Sequence, residues 1–324
     1  MIFDKFKELH IGVIGDLILD EYIYGNVNRL SPEAPIPIVD LTETEHKAGG
    51  AANVCLNLHN LGVKTSMIGI IGQDSNGKIL KDLITSGVEN ANIELIEDPD
   101  RITTCKTRVV AHNQHIVRID HEVQTPVNDK ITDKILKTVS AIHLQSPMNA
   151  IILQDYEKGV FHQANIPVLI DHIKKLGIKI IVDPKDKNFW YYKGVDLIKP
   201  NKKEAEKALN SSIKINEQAL ADAAYAIESK LKNGATVITL SEHGVYIKLN
   251  QNNIWQRSEF LDVVDVCGAG DAVISVVAAS YCAGLSVEEI ASLSNLSGAI
   301  VCGVRGVAAV NFDQLKQAYL NRSN

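Results

Sequence analysis

Ala150-Ile151-Ile152-Leu153 and Ile178-Lys179-Ile180-Ile181-Val182 are short apolar runs separated by a helical pattern, and the way this stretch is read decides the fold. Continuously apolar runs of this kind suit parallel strands covered on both faces by helices, where a strand with one wet face would alternate. The same rhythm extends outward through Ile11 to Ile14, Ser66 to Ile71, Leu197 to Ile198 and Val237 to Leu240. The expected fold class is therefore α/β, a doubly wound, mostly parallel sheet flanked by helices. Two segments break the rhythm. Glu21 to Leu41 sets Tyr22-Ile23-Tyr24-Gly25 and Ile36-Pro37-Ile38-Val39 either side of a Pro-containing link, and Thr103 to Glu122 carries two apolar runs around a short turn. Both resemble hairpins, and their pairing predicts a small projecting β-sheet, a lid over strand ends where α/β proteins bind ligands. With no internal repeat and no low-complexity linker, residues 1–324 read as one domain, with lid segments at about 21–41 and 103–122.

The bulk properties narrow the function. The chain is 45% hydrophobic, enough for a large core, and its formal net charge of -6 argues against nucleic acid or an anionic membrane as partner. Five cysteines, at 55, 105, 267, 282 and 302, never form C-x-x-C and read as reduced core thiols of a cytoplasmic protein. The charged start, Met1 to Glu8, has no apolar signal core. Ala272 to Ala283, the longest apolar run, falls short of the ~20 residues of a membrane helix and reads as a core helix.

That helix is preceded by Asp265-Val266-Cys267-Gly268-Ala269-Gly270-Asp271. Gly268, Ala269 and Gly270 at a helix N-terminus form an anion cradle of backbone N–H groups, and Asp271 beside them suits a base that takes a proton from an attacking hydroxyl. On its own the segment fits an ordinary N-cap equally well. Gly72-Gln73-Asp74-Ser75-Asn76-Gly77-Lys78-Ile79 resembles a P-loop but has Ile79 where a magnesium-binding hydroxyl is required, so it reads as a strand-to-helix turn. Gly49-Gly50-Ala51-Ala52-Asn53 opens another helix; Gly50 permits close approach and Asn53 suits sugar hydroxyls, although a plain helix start explains the segment too. Asn201 and Glu204, three apart, could hold the water shell of a magnesium ion or form a capping box. Asp16, after the first strand, could accept bonds from two hydroxyls. His112 and His115 have no third ligand to complete a zinc set.

Taken in order, Gly49-Gly50-x-x-Asn53, Asn201-x-x-Glu204 and Gly268-Ala269-Gly270-Asp271 resemble the signature set of the ribokinase-like (PfkB) carbohydrate kinases. Arg29 to Pro37, Asn113-Gln114-x-x-x-Arg118-x-Asp120, Asp155-Tyr156-x-Lys158-Gly159 and Asp183-Pro184-Lys185 are further similar to the branch acting on D-glycero-D-manno-heptose 7-phosphate in lipopolysaccharide biosynthesis. The resemblance runs from about Gly12 to about Gly306 and implies ATP- and Mg²⁺-dependent phosphorylation of the anomeric hydroxyl of heptose 7-phosphate.

By position, the resemblance implies that Asp271 is the base and that Gly268 to Gly270 form the anion hole. Asp16, Gly50, Asn53 and Asp155 would contact the sugar. Lys106, Arg108, Arg118, Lys158 and Lys185 would be candidates for its phosphate. Asn201 and Glu204 would hold magnesium through water, while Ser241, Glu242, Gly244 and Asn295 would border ATP. It also implies a homodimer paired through the lid. Cys267 and Ala272 stand where the family commonly has Thr, and Gln154 replaces a small residue.

Overall fold

The computed structural model describes residues 2–112, 114–258 and 263–322, so Asn113 of the heptose-kinase-like motif lies outside the described residues. In chain order the elements are β1 (His10–Gly15), β2 (Leu17–Leu30), β3 (Pro37–Gly50), α1 (Ala51–Asn60), β4 (Lys64–Gly72), α2 (Ser75–Gly87), β5 (Asn92–Asp98), β6 (Cys105–Ala111) and β7 (Gln114–His121). There follow α3 (Asp129–Gln145), β8 (Ala150–Gln154), α4 (Ile166–Lys175), β9 (Lys179–Asp183), β10 (Leu197–Ile198), α5 (Lys202–Leu209) and α6 (Glu217–Leu231). The chain continues with β11 (Ala235–Thr239), β12 (Val245–Leu249), β13 (Asn252–Gln256), α7 (Ala269–Cys282), α8 (Val287–Cys302) and α9 (Phe312–Arg322).

Nine strands form the main sheet in the order β13-β12-β11-β10-β9-β8-β1-β4-β5. The pairs from β5 through to β11 are parallel, and β12 and β13 add an antiparallel edge. Each apolar run predicted as a strand lies in this sheet. The reason is visible in β8 and β9: Ile152 and Ile181 enter one core with Leu58, Ile274 and Leu293, while Ile151, Leu153, Ile180 and Val182 enter a second with Val139, Leu169 and Ile227. Helices α1, α2, α7 and α8 thus cover one face and α3 to α6 the other, so successive residues in the middle of these strands are apolar on both faces. Truncating a fully buried residue such as Ile181 to Ala would cost about 2–5 kcal/mol.

A second sheet has the order β3-β2-β6-β7. Each expected hairpin forms, β2 with β3 and β6 with β7, and β2 joins β6 in parallel. The elements extend beyond the expected bounds: β2 and β3 are 14 residues each, so the first hairpin starts at Leu17 and ends at Gly50. The P-loop-like segment is a strand-to-helix turn, in which Asp74 caps α2 through the Gly77 N–H at 2.7 Å and accepts the Thr103 N–H at 2.7 Å.

Candidate active site

Parallel strands deliver their carboxyl ends to one edge of the sheet. Asp16 follows β1, Gln154 ends β8, Asp183 ends β9 and Lys199 follows β10; the strand order makes them neighbours. The start of α7 arrives over the same edge with Asp271. That carboxylate is 3% exposed. Its Oδ1 accepts from the Tyr156 hydroxyl at 2.7 Å and from Gln154 Nε2 at 3.2 Å, and its Oδ2 accepts from Asn53 Nδ2 at 2.8 Å. Burial pushes the Asp271 pKa up to about 7; the Asn53 and Tyr156 bonds and Lys199 pull it down, and the Asp183 charge adds to the rise.

The two readings of the glycine turn are separated by its geometry. Gly268, not Asp271, is the N-cap of α7, in the left-handed region at φ 79°, and no side chain caps the helix. Asp271 is the third helical residue and turns inward. A Cβ built on Gly270 would meet nothing within 4 Å, so the backbone there is open to a ligand. Asp265 shapes the turn by accepting the Cys267 N–H at 3.0 Å and the Gly306 N–H at 2.9 Å. Burial and the neighbouring Asp265 push the Cys267 thiol up to about 11, so it stays protonated near neutrality.

Asn53 lies against Asp271, with its amide nitrogen committed to that carboxylate. In place of the open carboxylate expected at Asp16, the structure has an anchor: Asp16 accepts the backbone N–H groups of Tyr156, Lys158 and Val160 at 2.7, 3.1 and 3.2 Å. Gly50 is the N-cap of α1 with φ 61°, and a Cβ there would come within 2.5 Å of the Asp16 carbonyl oxygen, so only Gly fits this crossing. Asp155 is buried, bonded to Asn188 at 2.9 Å and Tyr192 at 2.7 Å, and raised to about 7 by burial and then by the Asp16 charge.

The basic residues expected to meet a phosphate carry partners. Lys106 reaches Asp120 at 3.0 Å and Glu122 at 3.4 Å, Lys158 reaches Glu122 at 2.8 Å, Arg118 reaches Asp120 at 2.8 Å, and Arg108 is paired with buried Asp20. These pairs bring Lys106, Arg118 and Lys158 together around Asp120 and Glu122. Lys185 is elsewhere, bonded to Glu204. Burial would lower its pKa, but the Glu204 and Asp183 charges outweigh that and raise it.

Asn201 and Glu204 form the capping box: Asn201 Oδ1 accepts the Glu204 N–H at 2.9 Å and Glu204 Oε2 accepts the Asn201 N–H at 2.8 Å. Both Glu204 oxygens are thus engaged. No group of three or more His, Cys, Asp or Glu converges on one point among the described residues. Ser241, Glu242 and Gly244 form the turn between β11 and β12, with Ser241 at φ 53° and Gly244 at φ 90°. Asn295 in α8 donates to the backbone carbonyls of Gln256 and Arg257 at 2.9 and 3.1 Å.

Sequence reasoning assigned no role to Tyr156, Gln154, Asp183 or Lys199. Lys199 Nζ pairs with Asp183 Oδ1 at 3.0 Å, both buried, and Gln154 Nε2 also donates to Asp183 Oδ2 at 3.1 Å. Their common signal is position, since Gln154, Asp183 and Lys199 each end or directly follow a predicted parallel strand.

A glycine turn at a helix start, a buried carboxylate beside it and strand ends converging on both suit a phosphotransferase that acts on an alcohol group. The model of the pfkB family carbohydrate kinases matches residues 10–313, and the chain belongs to this family. Bifunctional protein HldE of Geotalea uraniireducens (strain Rf4) is 37% identical over 312 residues, and that of Sulfurimonas denitrificans is 39% identical over 306. The matches cover 96% and 94% of this chain but 63% of each relative's length. Phosphofructokinase-2 from Escherichia coli, solved with potassium, has a TM-score of 0.81 at 20% identity, covering 98% of this chain and 99% of its own. Ribokinase of Arabidopsis thaliana, solved with ribose and ATP, has a TM-score of 0.71 at 17% identity, covering 95% and 97%. The fold is ribokinase-like.

Proposed function

We propose that the chain transfers the γ-phosphoryl group of ATP to the anomeric hydroxyl of D-glycero-D-manno-heptose 7-phosphate, giving the 1,7-bisphosphate for lipopolysaccharide heptose synthesis in the cytoplasm. The observation that carries the reading is Asp271, a buried carboxylate raised to about 7 at the mouth of an uncapped glycine turn. Near neutral pH such a group accepts a proton readily and gives it up again. Asp271 takes the hydroxyl proton as the sugar oxygen attacks phosphorus. The N–H groups of Gly268 to Gly270 face the charge growing on the transferred group. Magnesium supplies charge neutralisation on the ATP phosphates. Because Lys185 already pairs with Glu204, Asn201 and Glu204 fit as an outer anchor for its water shell and not as direct ligands.

The resemblance of the motifs to heptose 7-phosphate kinases and the name HldE of the relatives support the choice of sugar. The second sheet acts as the lid, presenting Lys106 and Arg118 to the 7-phosphate beside Lys158 of the loop after β8. A different reading, a kinase for an unphosphorylated sugar, has one observation in its favour: Lys106, Lys158 and Arg108 are already matched by Glu122, Asp120 and Asp20.

The test is ADP release with magnesium and ATP across sugars and their 7-, 6- and 1-phosphates. The expected outcome is turnover of heptose 7-phosphate above all others, lowered about 10²–10⁴-fold in Asp271→Asn. Preference for an unphosphorylated sugar would overturn the choice of substrate, and a fully active Asp271→Asn variant would overturn the mechanism.

A further inference from the structure

We infer that Gln154 is a positioning residue for the catalytic base, its Nε2 amide group lodged between the Asp183 and Asp271 carboxylates so as to orient Asp271 and keep the two anions apart. The inference rests on the reading of Asp271 as the base. The two bonds, 3.1 Å to Asp183 Oδ2 and 3.2 Å to Asp271 Oδ1, leave these carboxylate oxygens no more than 6.3 Å apart. Carboxylates this close in a buried site compete for one proton unless something separates their charges.

A primary amide nitrogen suits that place because it carries two hydrogens and no acceptor, one hydrogen for each anion. The opposite amide orientation would aim an oxygen at two carboxylates, so the placement of the nitrogen is fixed by charge. Gln154 is 1% exposed, and its Oε1 has no hydrogen-bond partner among the described residues. A buried carbonyl left unpaired is unfavourable, and the side chain gains nothing from the backbone around it in return. What holds it is the pair of charge-assisted bonds at its other end.

The surroundings divide the labour between the two acids. Asp183 has Lys199 at 3.0 Å and is matched by a buried cation. Among the described residues Asp271 accepts hydrogen bonds from neutral donors only: Gln154 at the end of β8, Tyr156 after it and Asn53 in α1. The charged and titratable groups that face Asp271 are Tyr156, Asp183 and Lys199; the first turn of α7 adds no other. Asp271, without such a cation of its own, is the group that exchanges a proton. Gln154, the residue that replaces a small side chain in the family pattern, donates to both.

Removing its two donors while keeping its length leaves Asp271 less stabilised as an anion, and its midpoint rises. The experiment is a ¹³C-carboxyl aspartate NMR titration of the full chain, with the Asp271 resonance identified by its loss in Asp271→Asn. In Gln154→Met the Asp271 midpoint is expected to rise by about 0.5–1 pH unit, and the acid limb of kcat/KM to move with it while KM for the sugar changes less than about twofold. An unchanged or lowered midpoint overturns the inference, as does a loss of activity uniform across pH, which is what a packing defect gives. The wild-type chain supplies a second reading that needs no variant to fold: the Gln154 side-chain NH₂ resonances should titrate with the Asp271 midpoint, and invariance would overturn the inference. If the wild type turns over no sugar or sugar phosphate, the functional reading fails, whereas the NMR midpoints still decide what Gln154 does.

Discussion

A carboxyl group 3% exposed and ringed by neutral donors is held nearer its protonated form than the same group in water. For Asp271 this cuts two ways. As the proposed base it must be ionised, so the acid limb of kcat/KM is expected near pH 7, in the direction of activity rising with pH. For stability the sign is opposite. The folded pKa lies above the unfolded value, so the native state binds the extra proton; stability is fullest below the unfolded pKa and declines as pH rises from about 4 through about 7. Above that range the ionised, buried carboxyl costs on the order of a few kcal/mol, and Asp155, raised for the same reason, adds to the trend. Asp271→Asn should therefore gain in Tm relative to wild type between pH 5 and pH 8 by differential scanning calorimetry. An advantage that shrinks over that interval would contradict the burial argument. This residue was legible from its glycine turn. Its partners were not, because Gln154 and Asp183 are 29 residues apart and Gln154 and Asp271 are 117 apart; only the order in which the strands pair brings them together.

At the scale of the element, two glycines two residues apart at the start of α7 have different reasons to be glycine. Gly268 needs φ 79°, and a Cβ there would stand 3.0 Å from Asn53 Nδ2, the donor bonded to Asp271. Gly268→Ala is expected to destabilise by about 1–2 kcal/mol and to lower kcat as Asn53 shifts. Gly270 is helical, with open space where its Cβ would point. Gly270→Ala should leave stability unchanged or raised by up to about 1 kcal/mol while weakening the response to ATP, since a methyl group then fills the cradle. Urea unfolding beside steady-state kinetics separates the two; equal losses of stability would sink the distinction. Strand runs such as Ala150 to Leu153 were legible because both of their faces are buried. β5, β12 and β13 were not: β5 and β13 are edge strands with residues left partly exposed, and their alternation is too short to stand out from loop sequence. The Asn201 to Glu204 spacing supported two readings, and the local backbone realises the capping box.

On the scale of the whole molecule, the second sheet leaves large apolar side chains in water: Leu30, Leu41 and Ile119 are 63%, 64% and 56% exposed, with Ile36, Ile116 and Val117 beside them in sequence. Exposed apolar side chains gathered on one small sheet suit association with a second copy. Sedimentation equilibrium at tens of micromolar is expected to give a dimer that Leu41→Asp with Ile119→Asp converts to monomer; a monomeric wild type would remove the proposal. Hairpins were legible as paired runs around a short link, but their length was not, because β2 and β3 continue past the Pro-containing link's flanks to the edge of the main sheet.

The short loop after β8 deserves a mechanical reading. Three of its backbone N–H groups are fastened to Asp16, the Tyr156 hydroxyl rests on Asp271, and two residues later Lys158 grips Glu122 beyond the end of β7. Side chains from one loop, two positions apart, therefore touch Asp271 and the ionic fringe of the second sheet. Anything that pulls Lys158 off Glu122, as a phosphate bound there would, loads the same loop that supports Tyr156, so a change at the second sheet reaches Asp271 through three residues of backbone.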